Sequence, residues 1–571
     1  MNEPAMALSF SFYFKQAGAT LIRWFRRKSS LQRHSVYLGR SMASVPPGSL
    51  IFFPLNWNRL CCGLTCIVAI KPGRSSATDL DIEILNTTLT RMENHLLADF
   101  SSGEHFIPVW HLAGTDILSA LWDNVRTLKQ NRFFAKIFQS KKIQADLSAV
   151  ADRLELLIKA EQQTLIEMRN QLTPTDVALV SKNIERLKDI HWALTMELTE
   201  NIRRVKDLMA DGLKPPKGTP ITTLRQINAV LNSIDRLEVR GRDSAGLSLM
   251  FHLTRPDFLG FEESIAKQKL SQQLSERTRA DILVNGNIRI RHFQEPAGES
   301  ATTLTFTYKI AAEIGSLGDN VRFLRCQIQK DRILQMLLAR PYRHHTACAH
   351  TRWASVGAIT EPNCHPVDNI ATNQNDQDPN DQEGIIHVCL NGDIDNHFSL
   401  QKEFESHGGR IHPEVTTDTK MIPLTIAKHL KKGHDITEAF RLAVNEFEGS
   451  HAISMHTDLA PGKIFLAQKG SGQAIFVGLA RDHYMPVSEV YGFVEETDTF
   501  VKLDGERLIE GKTGKTQGQV FILDQAAGNG LSGITAMYYD GTIIHLSERD
   551  INTTEITSRD SDRQESAHYF L

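Results

Sequence analysis

The sequence has no run of about 18 apolar residues, so nothing in it reads as a membrane-spanning helix. It has no excess of either charge, with 64 Lys and Arg against 67 Asp and Glu. A chain so nearly neutral offers no overall field for nucleic acid or an anionic membrane surface, and neither is expected as a partner. It has no CxxC pair. The seven cysteines are odd in number and scattered, so they read as reduced thiols of a cytoplasmic protein, not as zinc ligands or a disulfide framework. Cys61 and Cys62 are adjacent, poor geometry for a structural bridge, and need another explanation. Acid is scarce at the start: Glu3 is the only acidic residue before Cys61, in a basic, Ser-rich stretch without a clean secretory signal.

What is there organises itself by period. At 571 residues the chain predicts two to four domains. Residues 62–70, CGLTCIVAI, form a short apolar, β-branched run closed by Lys71-Pro72-Gly73, a buried strand and a turn. The period then becomes helical to about Met209. Leu147, Val150, Leu154, Leu157, Leu165, Met168 and Leu172 keep three- and four-residue spacing, and Pro174 breaks the pattern, with Thr175 or Asp176 available as an N-cap. Val177, Val180, Ile184, Leu187, His191, Leu194, Leu198, Ile202, Val205 and Met209 form a second stripe, on which His191 reads as a packed core histidine and not a metal ligand. Two helices of roughly 30 to 35 residues would each run about 45 to 50 Å and pair as an antiparallel hairpin. LKPPKGTP, residues 213–220, closes this piece. Beyond it, strand-like runs such as TTLTFTYKI alternate with short helical ones, and residues 251–300 read as polar and irregular with one helix.

Six short strings follow one another in order: CGL at Cys62, RGRDSAG at Arg240, HTRWASVG at His350, NCHP at Asn363, NGDIDNH at Asn391 and TTDTK at Thr416. Together they resemble the class II glutamine amidotransferase domain, and more narrowly the glutaminase half of the isomerizing glucosamine-fructose-6-phosphate aminotransferase family. The likeness covers Cys62–Ile70 and about Thr222–Asp550. It fails over the helical stretch between, and differs from the family's strings at Arg242 and Val356.

The resemblance implies an α+β fold: a four-layer αββα N-terminal-nucleophile sandwich, with the helices as a long all-helical, antiparallel hairpin insertion. It implies residues 62–78 and 214–550 as a discontinuous amidotransferase domain and 79–213 as the insertion, a surface for a partner or a second copy. Residues 1–61 become an extension that is removed or not truly coding, and 551–571 the start of a linker to an absent sugar-isomerase half. The implied activity is release of ammonia from glutamine, for amino-sugar synthesis with a separate isomerase (SIS-type) domain or subunit. Another class II amidotransferase, or a non-catalytic interaction protein on the same fold, is the alternative. The chemistry is thiol-based, so neither metal nor organic cofactor is implied. A cysteine at a chain terminus supplies a nucleophile and, in its own α-amino group, a base with an unperturbed pKa of about 7.7 to 8.0. By the match that cysteine is Cys62, with Cys61 as rival. Asn391 and the backbone of Gly392 carry over as oxyanion donors, Arg352 and Asp418 as partners of the substrate's α-carboxylate and α-ammonium, Trp353 as cover and Thr351 as a further substrate contact. Taken singly, Asn391-Gly392 reads as a turn, Asp418 as an N-cap and Arg352 as a surface group; the ordered set outweighs each. Asp243, Ser244 and His365 read as scaffold.

Overall fold

The computed structural model describes residues 62–69, 82–99, 108–210, 219–295, 298–311, 316–373 and 384–561. The basic extension, Cys61 and the final SAHYFL lie outside the described residues, as do both joints of the helical stretch.

Two antiparallel sheets carry the architecture. The first has nine strands, in the spatial order Ile551–Thr553, Thr499–Lys502, Phe476–Leu479, His483–Val487, Gly63–Ala69, His344–Arg352, Ser244–Thr254, Ser300–Ala311, Ile288–Gln294. The second has seven, with Lys463–Lys469 at its centre, followed by His451–Thr457 and Ile386–Gly392. Side chains alternate across each strand, so each sheet has two separate apolar faces. Leu64, Cys66, Val68 and Cys348 of the first sheet meet Cys389, Ala452, Leu466 and Phe521 of the second in one buried cluster. Ile67, Leu247, Leu249, Ala347 and Ala349 point the other way, into helices. Val388, Leu390, Ile453 and Phe465 do the same on the far side of the second sheet, against the helices Met421–Lys431 and Ile436–Glu446.

The helical stretch contains the expected antiparallel pair, Lys141–Met168 and Pro174–Trp192, the second running on through a π-helical turn at Ala193–Glu200 into Asn201–Asp207. Its cap is Thr173, which accepts from Asp176 N in a capping box; Pro174 sits in the first turn, where no intrahelical N–H is lost. Three shorter helices, Glu83–Glu93, Thr115–Leu128 and Asn131–Gln139, complete a block. This block does not stand off as the hairpin period suggests. Its stripe residues Leu147, Leu154, Ile184 and Leu194 belong to the same buried cluster as the outer face of the nine-stranded sheet. The helix Thr219–Leu237 links the two, packing on the strands Gly63–Ala69 and His344–Arg352 and on the helices Asn131–Gln139 and Asn201–Asp207.

A seam of buried charge reinforces this contact. Lys129 Nζ donates to Glu197 (2.5 Å) and to the Glu495 carbonyl (2.6 Å). Arg236 and Asn201 donate to the Glu495 carboxylate, Asn232 joins them at 3.0 Å, and Arg225 meets Glu496 at 2.7 Å. The stretch expected to begin a linker is likewise drawn in: Ile551–Thr553 forms the sheet edge, Trp192 donates to Ser558 (2.8 Å), and Arg559 pairs with Asp189 (2.9 Å). In the irregular region, helices occupy Arg255–Lys267 and Ser271–Arg277, and the strand Ile288–Gln294 is one that the polar sequence hides. No helix among the described residues is long and apolar enough to cross a membrane.

Candidate active site

Cys62 lies directly before the central strand of the first sheet, and Asn391-Gly392 end a strand of the second. Strand pairing sets Gly63 opposite Thr351, so the HTRW string runs alongside the nucleophile. Only glycine fits after Cys62: a Cβ at Gly63 would lie 2.5 Å from both Leu237 Cβ and Thr351 Oγ1. Gly392 is equally obligatory, with φ at +94° and a Cβ position 2.1 Å from the Ser450 carbonyl oxygen.

The Cys62 thiol sits against the backbone of Trp353, whose N–H donates to Sγ at 3.2 Å. The Asn391 side-chain amide donates from Nδ2 to the Cys62 carbonyl oxygen at 2.9 Å, which sets an N–H donor beside the thiol-bearing residue. His350 Nε2 meets Asn391 Oδ1 at 2.9 Å. Behind it His365 stands with its ring centre 4.4 Å from that of His350, and its Nε2 meets Thr419 Oγ1 at 2.8 Å. Burial pulls the His350 pKa down to about 3, and Arg352 adds to the effect against the hydrogen bond to Asn391 Oδ1; burial pulls His365 well below its ordinary value too. Both rings are neutral at physiological pH.

Arg352 is buried and turned onto its own loop, with Nη1 donating to the Ala358 carbonyl at 3.1 Å and Nη2 to that of Val356. The loop 353–358 is pinned at further points: Ala354 N–H donates to Asp243 (2.8 Å), Ser355 Oγ to Asp393 (2.7 Å) and Ala358 N–H to Thr416 Oγ1 (3.1 Å). Trp353, 41% exposed, faces out, as do Ser355, Gly357 and Ala358 of the same strap. Asp418 accepts from Ile394 N at 2.8 Å and from Thr419 N at 2.9 Å, so it anchors the turn that follows Gly392. Burial raises its pKa, partly offset by the Ile394 N–H.

The structure thus brings Cys62, Asn391, Gly392 and Trp353 together, with Arg352 and Asp418 holding the loops on either side. Thr351 does not join them. It follows His350 on the strand, so its side chain points to the opposite face, over Gly63 and Leu237. Asp243 and His365, expected from the sequence to be scaffold, hydrogen-bond within the protein, to Ala354 N and Thr419 Oγ1. Sequence reasoning missed His350, Thr419, Ser355 and Asp393; His350 stood inside the quoted string, but only the contact with Asn391, 41 residues on, gives it a task. It also missed the cavity of about 130 Å³ beside Cys62 and Asn391, whose wall carries Arg240, Glu489 and Lys502; Arg240 and Glu489 pair at 2.8 Å. Among the described residues no group of three or more His, Cys, Asp or Glu side chains converges as a metal site.

Comparison with known proteins gives the same direction as the strings. A glutamine--fructose-6-phosphate aminotransferase [isomerizing] from Methanothermobacter thermautotrophicus is 33% identical over 162 residues, 28% of this chain and 25% of that protein. Enzymes of the same description from Pseudomonas putida and Clostridium tetani match at 29% over 269 residues and 31% over 166. The chain therefore spans between 24% and 38% of the length of these three relatives. Two solved structures overlay loosely. The Bacillus subtilis glutamine phosphoribosylpyrophosphate amidotransferase gives a TM-score of 0.27 at 13% identity, covering 52% of this chain and 50% of that one. An allosteric regulatory enzyme of purine biosynthesis gives 0.28 at 15%, covering 55% of each. No family model matches the chain. The chain is similar to the class II glutamine amidotransferase part of such enzymes.

Proposed function

We propose that the two sheets form a four-layer N-terminal-nucleophile sandwich and that its site hydrolyses the side-chain amide of glutamine. The observation that carries this reading is the Asn391 amide N–H aimed at the Cys62 carbonyl, 2.9 Å away, at the edge of a cavity holding the thiol. Once Cys62 is a chain terminus, its α-amino group takes the thiol proton as Sγ attacks the amide carbon. The developing oxyanion meets the Asn391 amide and the Gly392 backbone N–H. The same proton then goes to the leaving nitrogen, ammonia departs, and water releases glutamate from the thioester. In this reading the Arg352 N–H groups not used by the strap meet the α-carboxylate, Asp418 the α-ammonium, and Trp353 shuts water out. The activity by which the relatives are named extends the reading to fructose 6-phosphate as the acceptor of the ammonia, and the family resemblance adds a separate sugar-isomerase unit on which glucosamine 6-phosphate is made.

The test uses the full chain with a specific protease site placed just before Cys62, cut after the protein has folded. The cut chain should release glutamate and ammonia from glutamine, and the uncut chain, whose Cys62 nitrogen is an amide, should not. Equal turnover in both would sink the mechanism. Cys62→Ala should abolish turnover; loss with Cys61→Ala in a chain cut one residue earlier would assign the nucleophile to Cys61.

A further inference from the structure

The Asn391 carboxamide can sit in two nearly isosteric orientations, and only one presents an N–H to the reacting centre. What selects it lies behind it. His350 Nε2 faces two acceptors, Asn391 Oδ1 at 2.9 Å and His365 Nδ1 at 3.4 Å. His365 Nδ1 is an acceptor because Leu390 N–H points at it, also at 3.4 Å, which leaves the His365 proton on Nε2, facing Thr419 Oγ1. The proton of neutral His350 is therefore on Nε2, and its Nδ1 is buried and meets no hydrogen-bond partner among the described residues. With the other tautomer, the amide would flip to satisfy His350 and set its oxygen against the Cys62 carbonyl oxygen.

We propose that His350, held in its Nε2–H tautomer by His365 and Thr419, is a positioning residue that fixes the Asn391 amide with its N–H toward the thiol. This deepens the amide-hydrolysis reading and rests on it for its kinetic test. His350 does not touch the substrate; it acts through Asn391.

A double-mutant cycle on the cut full chain separates this role from simple packing. His350→Leu should lower kcat at least about tenfold with little change in KM, because one oxyanion donor is worth roughly two to three powers of ten and only its aim is lost. His350→Gln, which keeps a donor near the Nε2 position, should recover most of that loss. In an Asn391→Ala background, His350→Leu should change kcat less than twofold. An equal drop in both backgrounds overturns the proposal, since a packing defect does not need Asn391 to be felt. Where the parent chain shows no glutaminase at all, the reading of function fails and the positioning role is judged by another signal. The side-chain amide resonances of ¹⁵N-labelled Asn391, assigned with Asn391→Ala, should be a single protected pair in the parent and should broaden or double in His350→Leu. An unchanged pair in that variant overturns the proposal independently of turnover.

Discussion

Behind Asn391 the buried polar groups in line are neutral, the imidazoles of His350 and His365 and the Thr419 hydroxyl, while at the seam between the helical block and the first sheet they are full charges. His350 and His365 are pulled so far below their ordinary pKa that they stay neutral, and His387, at about 4, does the same deeper in the interface. At the seam, burial pushes the Glu495 carboxyl up, but Arg236 and Asn201 reverse this and hold it at about 2. Glu197 beside it is raised, burial outweighing the pull of Lys129. A neutral chain of donors and acceptors carries direction, which a site needs. Paired charges carry direction too, but each becomes a large penalty once its partner is gone. The first region is built to aim one amide, the second to bind two bodies of structure together.

The sharpest break of this comparison is Glu495→Ala. It strands Arg236, Asn201 and Asn232 in a buried place, and removing one partner of a buried pair costs about 3 to 5 kcal/mol. Urea denaturation should show that loss in the unfolding free energy, and Glu495→Gln, which keeps an acceptor, should cost less. A loss under about 1 kcal/mol for the alanine variant would mean that water enters the seam and that the charges are not truly buried.

Next in size is Asn391→Ala, on the neutral side. Loss of one oxyanion donor should slow glutamine turnover by the cut chain by about 10²- to 10³-fold in kcat. Steady-state kinetics decide it, and a change confined to KM would remove Asn391 from the oxyanion role.

The two regions were also unequally legible in the sequence. The site strings point to Cys62, Asn391, Gly392, Trp353, Arg352 and Asp418 through their resemblance to the amidotransferase family, whose residues carry over at fixed local spacing. Thr351 was misplaced because the string hides the alternation of the strand: adjacent residues face opposite sides, so Thr351 cannot share a pocket with its neighbours. His350 was passed over because its partner is brought close only by sheet-on-sheet packing. At the helical block, period fixed the helices but not their neighbours. An amphipathic stripe says that a face is covered and is silent on what covers it. The seam bonds onto Glu495 and Glu496 join residues 259 to 366 positions apart, and no local pattern encodes that.

Acid separates the regions by window. A histidine held neutral below its unfolded pKa of 6.5 contributes stability that is complete above 6.5 and is lost as pH falls, because the unfolded chain binds a proton that the folded one refuses. His350 and His387 should each add about 1.4 kcal/mol per pH unit to that slope between 6.5 and their folded values. Glu495, at about 2 against an ordinary 4.5, contributes stability that is present above 4.5 and lost toward 2. Unfolding measured from pH 7 to 4 should therefore be less steep in His387→Asn, which can still reach Ser248, and unchanged in slope above pH 5 in Glu495→Gln. Identical slopes for His387→Asn and the parent would show that the inter-sheet histidines are not the groups that titrate.

The smallest effect belongs to the rim of the same seam. Arg126 makes a two-pronged ion pair with Asp498, at 2.7 and 2.8 Å, only three residues along the chain from Glu495. Both bonds are of ordinary hydrogen-bond length, yet the two side chains are 30% and 33% exposed. Water competes for both groups, salt screens them, and ordering two long side chains costs entropy. Arg126→Ala should therefore destabilise by only about 0.5 to 1 kcal/mol, and the difference should shrink further in 1 M salt, where the screening length falls to about 3 Å. Urea unfolding of the parent and variant at low and high salt checks both statements. A loss approaching that of Glu495→Ala, and indifferent to salt, would show that bond count and not burial sets the strength of this seam, and the contrast between rim and centre would have to be given up.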